Sequence, residues 1–262
     1  MACYKNQIKE LNVSNNEKLC YYVQEAEREY FDEYSQFTEY LTFDRSVKII
    51  AGNIVSEAIP WIDNRCGEDA YYTLDNNGLL TIFGTGNIEY SAFAERNDIK
   101  RVIIQDGITG IRSSAFSNCK QMTQLSIPDS VTYIGLCAIE YCNSLESLTI
   151  PGSMKTLGTN AVSHCEALKS VTIQEGVTYI DQWNFSGCNN LTDVKLPNTL
   201  EVIDAATFQW CDSLTSIRIP DRVTFIDSGA FMGSNNLSTI IVPTCKYICL
   251  QMGFGKKVCS HC

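Results

Sequence analysis

The sequence predicts an α/β-type solenoid: a right-handed coil with a parallel sheet on one face and short helical turns on the other. Three observations carry this. A 23-residue unit recurs from about residue 99 to residue 242 without insertion. Its leading apolar position is filled in turn by Ile99, Met122, Leu145, Leu168, Leu191, Leu214 and Leu237. Within each unit, two β-branched-rich columns stand two residues apart. A fixed period of this size marks units that cannot close a core alone and stack on their neighbours.

The strand comes first. Val102, Leu125, Leu148, Val171, Val194, Ile217 and Ile240 share one column, and Ile104, Ile127, Ile150, Ile173, Leu196, Ile219 and Val242 share the next. A spacing of two puts both side chains on the inner face. The residues between them face outward, and they are mostly Ser, Thr, Gln and a few charges. Pro128, Pro151, Pro197 and Pro220 end the strand. A second apolar pair follows, as in Val131 with Ile134 and Val223 with Ile226. Next comes a stretch carrying Ala115-Phe116, Ala138-Ile139, Ala161-Val162, Asn184-Phe185, Thr207-Phe208 and Ala230-Phe231, read as one helical turn on the far side of the coil. Asp181, Asp204 and Asp227 precede the last three of these stretches. They are expected to cap the turns by accepting backbone N–H groups; a bridging calcium ion is the alternative.

The pattern L-x-x-L-x-I-P-x-x-V-x-x-I-G-x-x-A-F-x-x-C, as in Met122 to Cys142, resembles that of the BspA-like leucine-rich repeat family. The resemblance covers about residues 99–243. The segment from Cys66 to Gly86 also resembles the hairpin that often leads into such arrays. The resemblance implies a leucine-rich repeat solenoid that binds proteins, in the manner of a surface antigen or adhesin contacting host or matrix proteins, and a cell-surface location.

Four segments follow: an acidic helical cap at 1–36, an irregular half repeat and lead-in hairpin at 37–98, the array at 99–243, and a Cys-rich cap or tail at 244–262. Leu19, Tyr22, Val23, Ala26, Tyr30 and Phe37 recur at helical spacing, with Glu25, Glu29, Asp32 and Glu33 opposite them, which reads as a cap over the first coil.

Charge and composition narrow the function. A net charge of −10 argues against nucleic-acid binding, which needs clustered Lys and Arg. No apolar run is long enough to span a bilayer, for which roughly 18 residues are needed. No signal peptide is visible in residues 1–20, so a cytoplasmic location is the expectation if none was removed. Of thirteen cysteines, Cys119, Cys142, Cys165, Cys188 and Cys211 share one column, with Ser234 in the sixth place. A column that accepts Cys or Ser reads as small, buried and unpaired. In the tail, Cys245, Cys249, Cys259 and Cys262 have a spacing compatible with tetrahedral zinc. Pairing, or lipidation at Cys259, is the alternative there.

No catalytic constellation emerges, so the chain reads as a non-enzyme without a cofactor apart from that zinc. His164, one of two histidines, falls in a variable column and is expected at the surface. The candidate contacts for a protein partner are aromatic. Tyr133, Tyr179 and Phe225 share one column, and Trp183 and Trp210 stand in columns otherwise small or polar. Such residues are enriched at binding hot spots; packing over the coil corners is the alternative. An intracellular interaction scaffold, or a carbohydrate-binding module using the same aromatics, is the competing reading. Sequons start at Asn12, Asn184, Asn190 and Asn236.

Overall fold

The computed structural model describes residues 64–227 and 229–242, together with the backbone of short strands at 10–12, 48–51, 54–56, 249–252 and 256–259. The chain divides into two compact units, Met1–Asp63 and Asn64–Cys262. In the first, Glu10–Asn12 pairs in parallel with Lys48–Ala51, which pairs antiparallel with Ile54–Ser56. The expected helix at 17–40 lies outside the described residues.

The second unit opens with an antiparallel hairpin, Asp69–Leu74 against Leu79–Ile88. Asp75 makes its turn by accepting the N–H groups of Asn77 and Leu79, each at 2.8 Å. The second hairpin strand is long enough to serve two sheets. Its residues 79–82 pair in parallel with 101–104, and its residues 86–88 pair with 108–111.

From there each coil contributes two short strands, and most strands pair in parallel with their equivalents 23 residues later, the ladders breaking between 124–126 and 147–150, between 156–157 and 179–180, and between 193–195 and 216–218. Ser147–Ile150 aligns with Ser170–Ile173, and Tyr179–Ile180 aligns with Val202–Ile203. The exact repeat sets this register. A slip of one residue would turn Leu148 and Ile150 outward together. The first strands alternate as expected: in Arg101–Ile104 and Ser147–Ile150 the outer residues are exposed and the inner ones buried. The core runs continuously along the coils. Phe185, Phe208 and Phe231 stack in successive coils with centroids 5.5 Å apart.

The helical turns expected on the far side are absent: no helix occurs among the described residues. The fold is therefore a parallel β-solenoid. Two residues per coil, four apart, take positive φ, among them Ser114 (58°) and Asn118 (60°), and Ala206 (53°) and Trp210 (55°). A helix cannot accommodate left-handed residues at that spacing. The hydrogen bonds show what this backbone gains instead. Ser114, Phe116 and Asn118 donate N–H to Leu136, Ala138 and Glu140 of the next coil, at 2.9, 2.8 and 2.8 Å. The alternate residues Ala115, Ser117 and Cys119 donate within their own coil, to Arg112, Ser114 and Phe116. Half the amides thus bind adjacent coils together, which intrahelical bonding would forgo.

The Cys column has a comparable cause. The thiols of Cys119, Cys142, Cys165, Cys188 and Cys211 donate to carbonyl oxygens 26 residues earlier, in the preceding coil, at 3.0–3.5 Å. Ser234 does the same with its hydroxyl, at 2.6 Å from the Phe208 oxygen. The position demands a small side chain with a donor, and only Cys and Ser supply both here. All five cysteines are free.

Candidate functional site

The candidate surface begins where the inner strand residues end. In the second strand of each coil Ile134, Ile180, Ile203 and Ile226 point into the core, so their preceding neighbours Tyr133, Tyr179, Val202 and Phe225 point out. Tyr179, Val202 and Phe225 are direct partners across parallel ladders. Tyr179 is 42% and Phe225 51% exposed. The Tyr179 hydroxyl donates to the Asp204 carboxylate in the next coil, which fixes the ring across the coil boundary and raises its own pKa.

Trp183 and Trp210 lie on the following turns and expose 40% and 49% of their surface. Both are left-handed residues, at φ 55°. The Trp210 ring lies against Gly233 of the next coil, so that a Cβ at 233 would strike it. Four of the five aromatic candidates therefore fall within three consecutive coils, residues 168–236. Tyr133 does not join them. It is half-buried, two coils away from Tyr179, with its ring against Gly110 of the preceding coil. The corner-packing alternative describes Tyr133 and part of Trp210, but not Tyr179 or Phe225.

His164 differs from its expected surface position. It is half-buried, stacked on Tyr141 at 4.8 Å with the rings 10° apart, and it lies against Gly187 of the next coil. From His164 onward ring and glycine alternate along this column, so an aromatic of one coil fills the space a missing side chain leaves in its neighbour. Only the glycines at 187 and 233 signal this in the sequence.

The aspartate column is half as expected. Asp181 and Asp204 each accept the N–H of the next residue at 2.7 Å, and Asp227 accepts that of Gly229 at 2.8 Å. The carboxylates satisfy turn amides rather than capping helices, because no helix follows them; only Asp227 has the two-residue spacing of an Asx turn. No group of three or more His, Cys, Asp or Glu side chains that could hold a metal ion is found among the described residues. Of the tail cysteines, Cys249 stands opposite Cys259 in backbone register across an antiparallel pair, while Cys245 and Cys262 lie outside the described residues.

The outer face of the first sheet carries a shallow depression of about 590 Å³ lined by Arg101, Ile103, Gln124, Ser126, Ser147 and Thr149. Hydroxyls, an amide, one guanidinium and the exposed Ile103 line it, with no nucleophile–base pair among them. No helix among the described residues is long and apolar enough to cross a membrane.

The sequons separate by burial. Asn184 is fully buried and its amide donates to Asp181 and Leu157 carbonyls, whereas Asn190 and Asn236 are exposed at the same repeat position. Passed through a eukaryotic secretory pathway, the chain is expected to acquire glycans at Asn190 and Asn236 and none at Asn184. Peptide mapping after enzymatic deglycosylation checks this, and a glycan on Asn184 would contradict the buried column.

Comparison with known proteins places this geometry. The repeat profile described as BspA type leucine rich repeat region, in six copies, matches residues 86–212 and 180–253. Among solved structures, a leucine-rich repeat protein from Bacteroides ovatus is 26% identical with a TM-score of 0.58, over 71% of this chain and 54% of that one. The chain thus spans about half the length of that relative. A leucine-rich repeat protein of T. pallidum is 19% identical (TM-score 0.46, 73% and 86% covered). A leucine-rich cell surface protein from Faecalibacterium prausnitzii is 16% identical (TM-score 0.28, 67% and 93% covered). No functionally curated protein matches the sequence. With its repeats matched over most of the chain and the coils built as the repeat requires, the chain belongs to the BspA-type leucine-rich repeat family.

Proposed function

We propose that this chain is a non-enzymatic protein-binding repeat protein, of the surface-antigen or adhesin type, that contacts host or matrix proteins. The observation that carries the reading is the grouping of Tyr179, Phe225, Trp183 and Trp210, each at least 40% exposed, on three adjacent coils. Large rings held rigidly by backbone ladders lose little entropy on binding and bury much area, the profile of binding anchors. Membership of the leucine-rich repeat family supports the same direction.

The test is binding of the purified chain to immobilised laminin, fibronectin and collagen, repeated with Tyr179→Ala combined with Trp183→Ala. The wild type is expected to bind at least one of them. The double variant is expected to lose about tenfold or more in affinity, as truncated anchors do, while melting as a folded array. Unchanged affinity in a folded double variant would remove these residues from the contact. Absence of wild-type binding to the whole panel would remove the matrix-adhesin role.

A further inference from the structure

The column that precedes the exposed turns changes character along the array. At its start, Glu89 and Arg112 occupy it in successive coils and pair at 3.0 Å. Two exposed carboxylates elsewhere behave alike: Glu146 pairs with Lys169 of the next coil at 3.4 Å, and Glu201 with Arg222 at 3.1 Å. At the far end the same column holds Asp181, Asp204 and Asp227, three like charges on consecutive coils. The parallel ladder sets them roughly 4.8 Å apart. Like charges opposed across a ladder destabilise it, and none of the ion pairs among the described residues includes these three. Arg222, a cation of the same coils, is already engaged by Glu201. One oxygen of each aspartate is used by a turn amide. Asp204 also accepts from Tyr179, whose ring lies beside this acidic row.

Next to the row, on the outward side of the strands, stand Tyr179, Val202 and Phe225. The face therefore combines two exposed aromatic rings with a line of carboxylates that lack cations. A guanidinium matches both features. Its flat face stacks on a ring, and its fork donates in the plane to carboxylate oxygens. An ammonium supplies the charge without the stacking plane.

We propose that the Tyr179–Val202–Phe225 face with Asp181, Asp204 and Asp227 docks an arginine-rich segment of a partner protein. The assignment rests on the protein-binding role above and names the chemistry of the partner at that site. The experiment uses fluorescein-labelled peptides of alternating arginine and serine, their lysine counterparts and their glutamate counterparts, titrated with the whole chain at low and physiological salt. The wild type is expected to bind the arginine peptide, to bind the lysine peptide several-fold more weakly, and to ignore the glutamate peptide. Asp181→Asn, Asp204→Asn and Asp227→Asn combined keep an acceptor for each turn amide, so the array stays folded. They are expected to weaken the arginine peptide about tenfold or more. Phe225→Ala is expected to erase the preference for arginine over lysine.

Equal binding by wild type and the triple variant would overturn the proposal, as would arginine and lysine peptides bound alike by wild type and Phe225→Ala. The matrix-protein panel, repeated with the triple variant, separates the two readings. A matrix protein held equally by both chains leaves the adhesin role standing and removes the basic partner. Binding of the arginine peptide that needs the three aspartates, with no matrix protein bound, supports the basic partner and removes the matrix-adhesin role.

Discussion

Above pH 9 the array is expected to lose stability steeply and to unfold cooperatively before pH 12. The cause is a row of thiols that the fold keeps protonated. Burial pushes Cys66 and Cys119 up to about 12 from an ordinary 9.0. The Cys142 sulfur beside it, together with burial, raises Cys165, and burial foremost raises Cys188 and Cys211. A folded pKa raised above the unfolded one contributes stability that is fully present below the unfolded value. It drains away as pH climbs between the two, because the unfolded chain releases protons the folded chain retains. Each thiol that only the folded chain keeps protonated then costs up to about 1.4 kcal/mol per pH unit, so several together cost several kcal/mol across the window. That is comparable with the whole stability of an ordinary domain, about 5–15 kcal/mol.

The measurement is urea unfolding at closely spaced pH values under a reducing agent. A Cys188→Ser chain makes the attribution specific. Ser234 shows that the column accepts a hydroxyl in the same carbonyl contact, and serine does not titrate in this range. The variant should lose stability with about one proton less in its slope, while every tyrosine that also ionises there is common to both chains. A slope identical in the two chains would contradict the thiol account.

What the sequence made legible follows from how strongly each feature is tied to the period. Side chains that must be inside recur every 23 residues, so the inner columns, their outward neighbours and the parallel register could all be read directly. The far side of the coil differs from the helical turn its side-chain pattern predicts, and for a physical reason. A short apolar stretch of the Ala-Phe type fits one turn of helix in side-chain pattern alone. What decides against a helix is backbone hydrogen bonding between coils, with left-handed residues such as Cys137, Tyr141 and Ala206 that carry no glycine signature. The Cys column was identified as small and buried, yet the demand for a donor to the preceding coil became visible only with the carbonyls in place. Among the aromatic candidates, the repeat showed which ones share a column but not which way each ring leans. Tyr133 lies back over Gly110, whereas Tyr179 reaches Asp204 of the next coil. A glycine one period away from a ring is the signal that separates the two cases, as at Gly110, Gly187 and Gly233.

Leu191→Asp is expected to abolish the folded array around its coil, the largest effect of any single substitution considered. Leu191 is fully buried and stands between Leu168 and Leu214, which are equally buried in the neighbouring coils. Its own N–H is committed to the Cys188 carbonyl at 3.0 Å. A carboxylate there would sit between buried leucines on both sides. Losing the leucine burial removes about 2–3 kcal/mol. Desolvating the acid costs several more, whether it stays charged or is forced to take up a proton. The sum approaches the total stability of a domain. Because each coil contacts only its neighbours, the damage should divide the array rather than dissolve it evenly. Coils before residue 168 keep one intact face, while those after 214 are too few to stand alone. Limited proteolysis should therefore yield a resistant fragment that retains the hairpin from Asp69 and ends before the altered coil. Two controls bracket the claim. Leu191→Met conserves volume and should cost less than about 1.5 kcal/mol. Ser147→Asp places the same charge on the exposed face two coils away and should change stability by only about 0.5 kcal/mol. A Leu191→Asp chain that melts with the wild type would overturn the inward assignment of the leading column, and with it the registration of every coil that shares it.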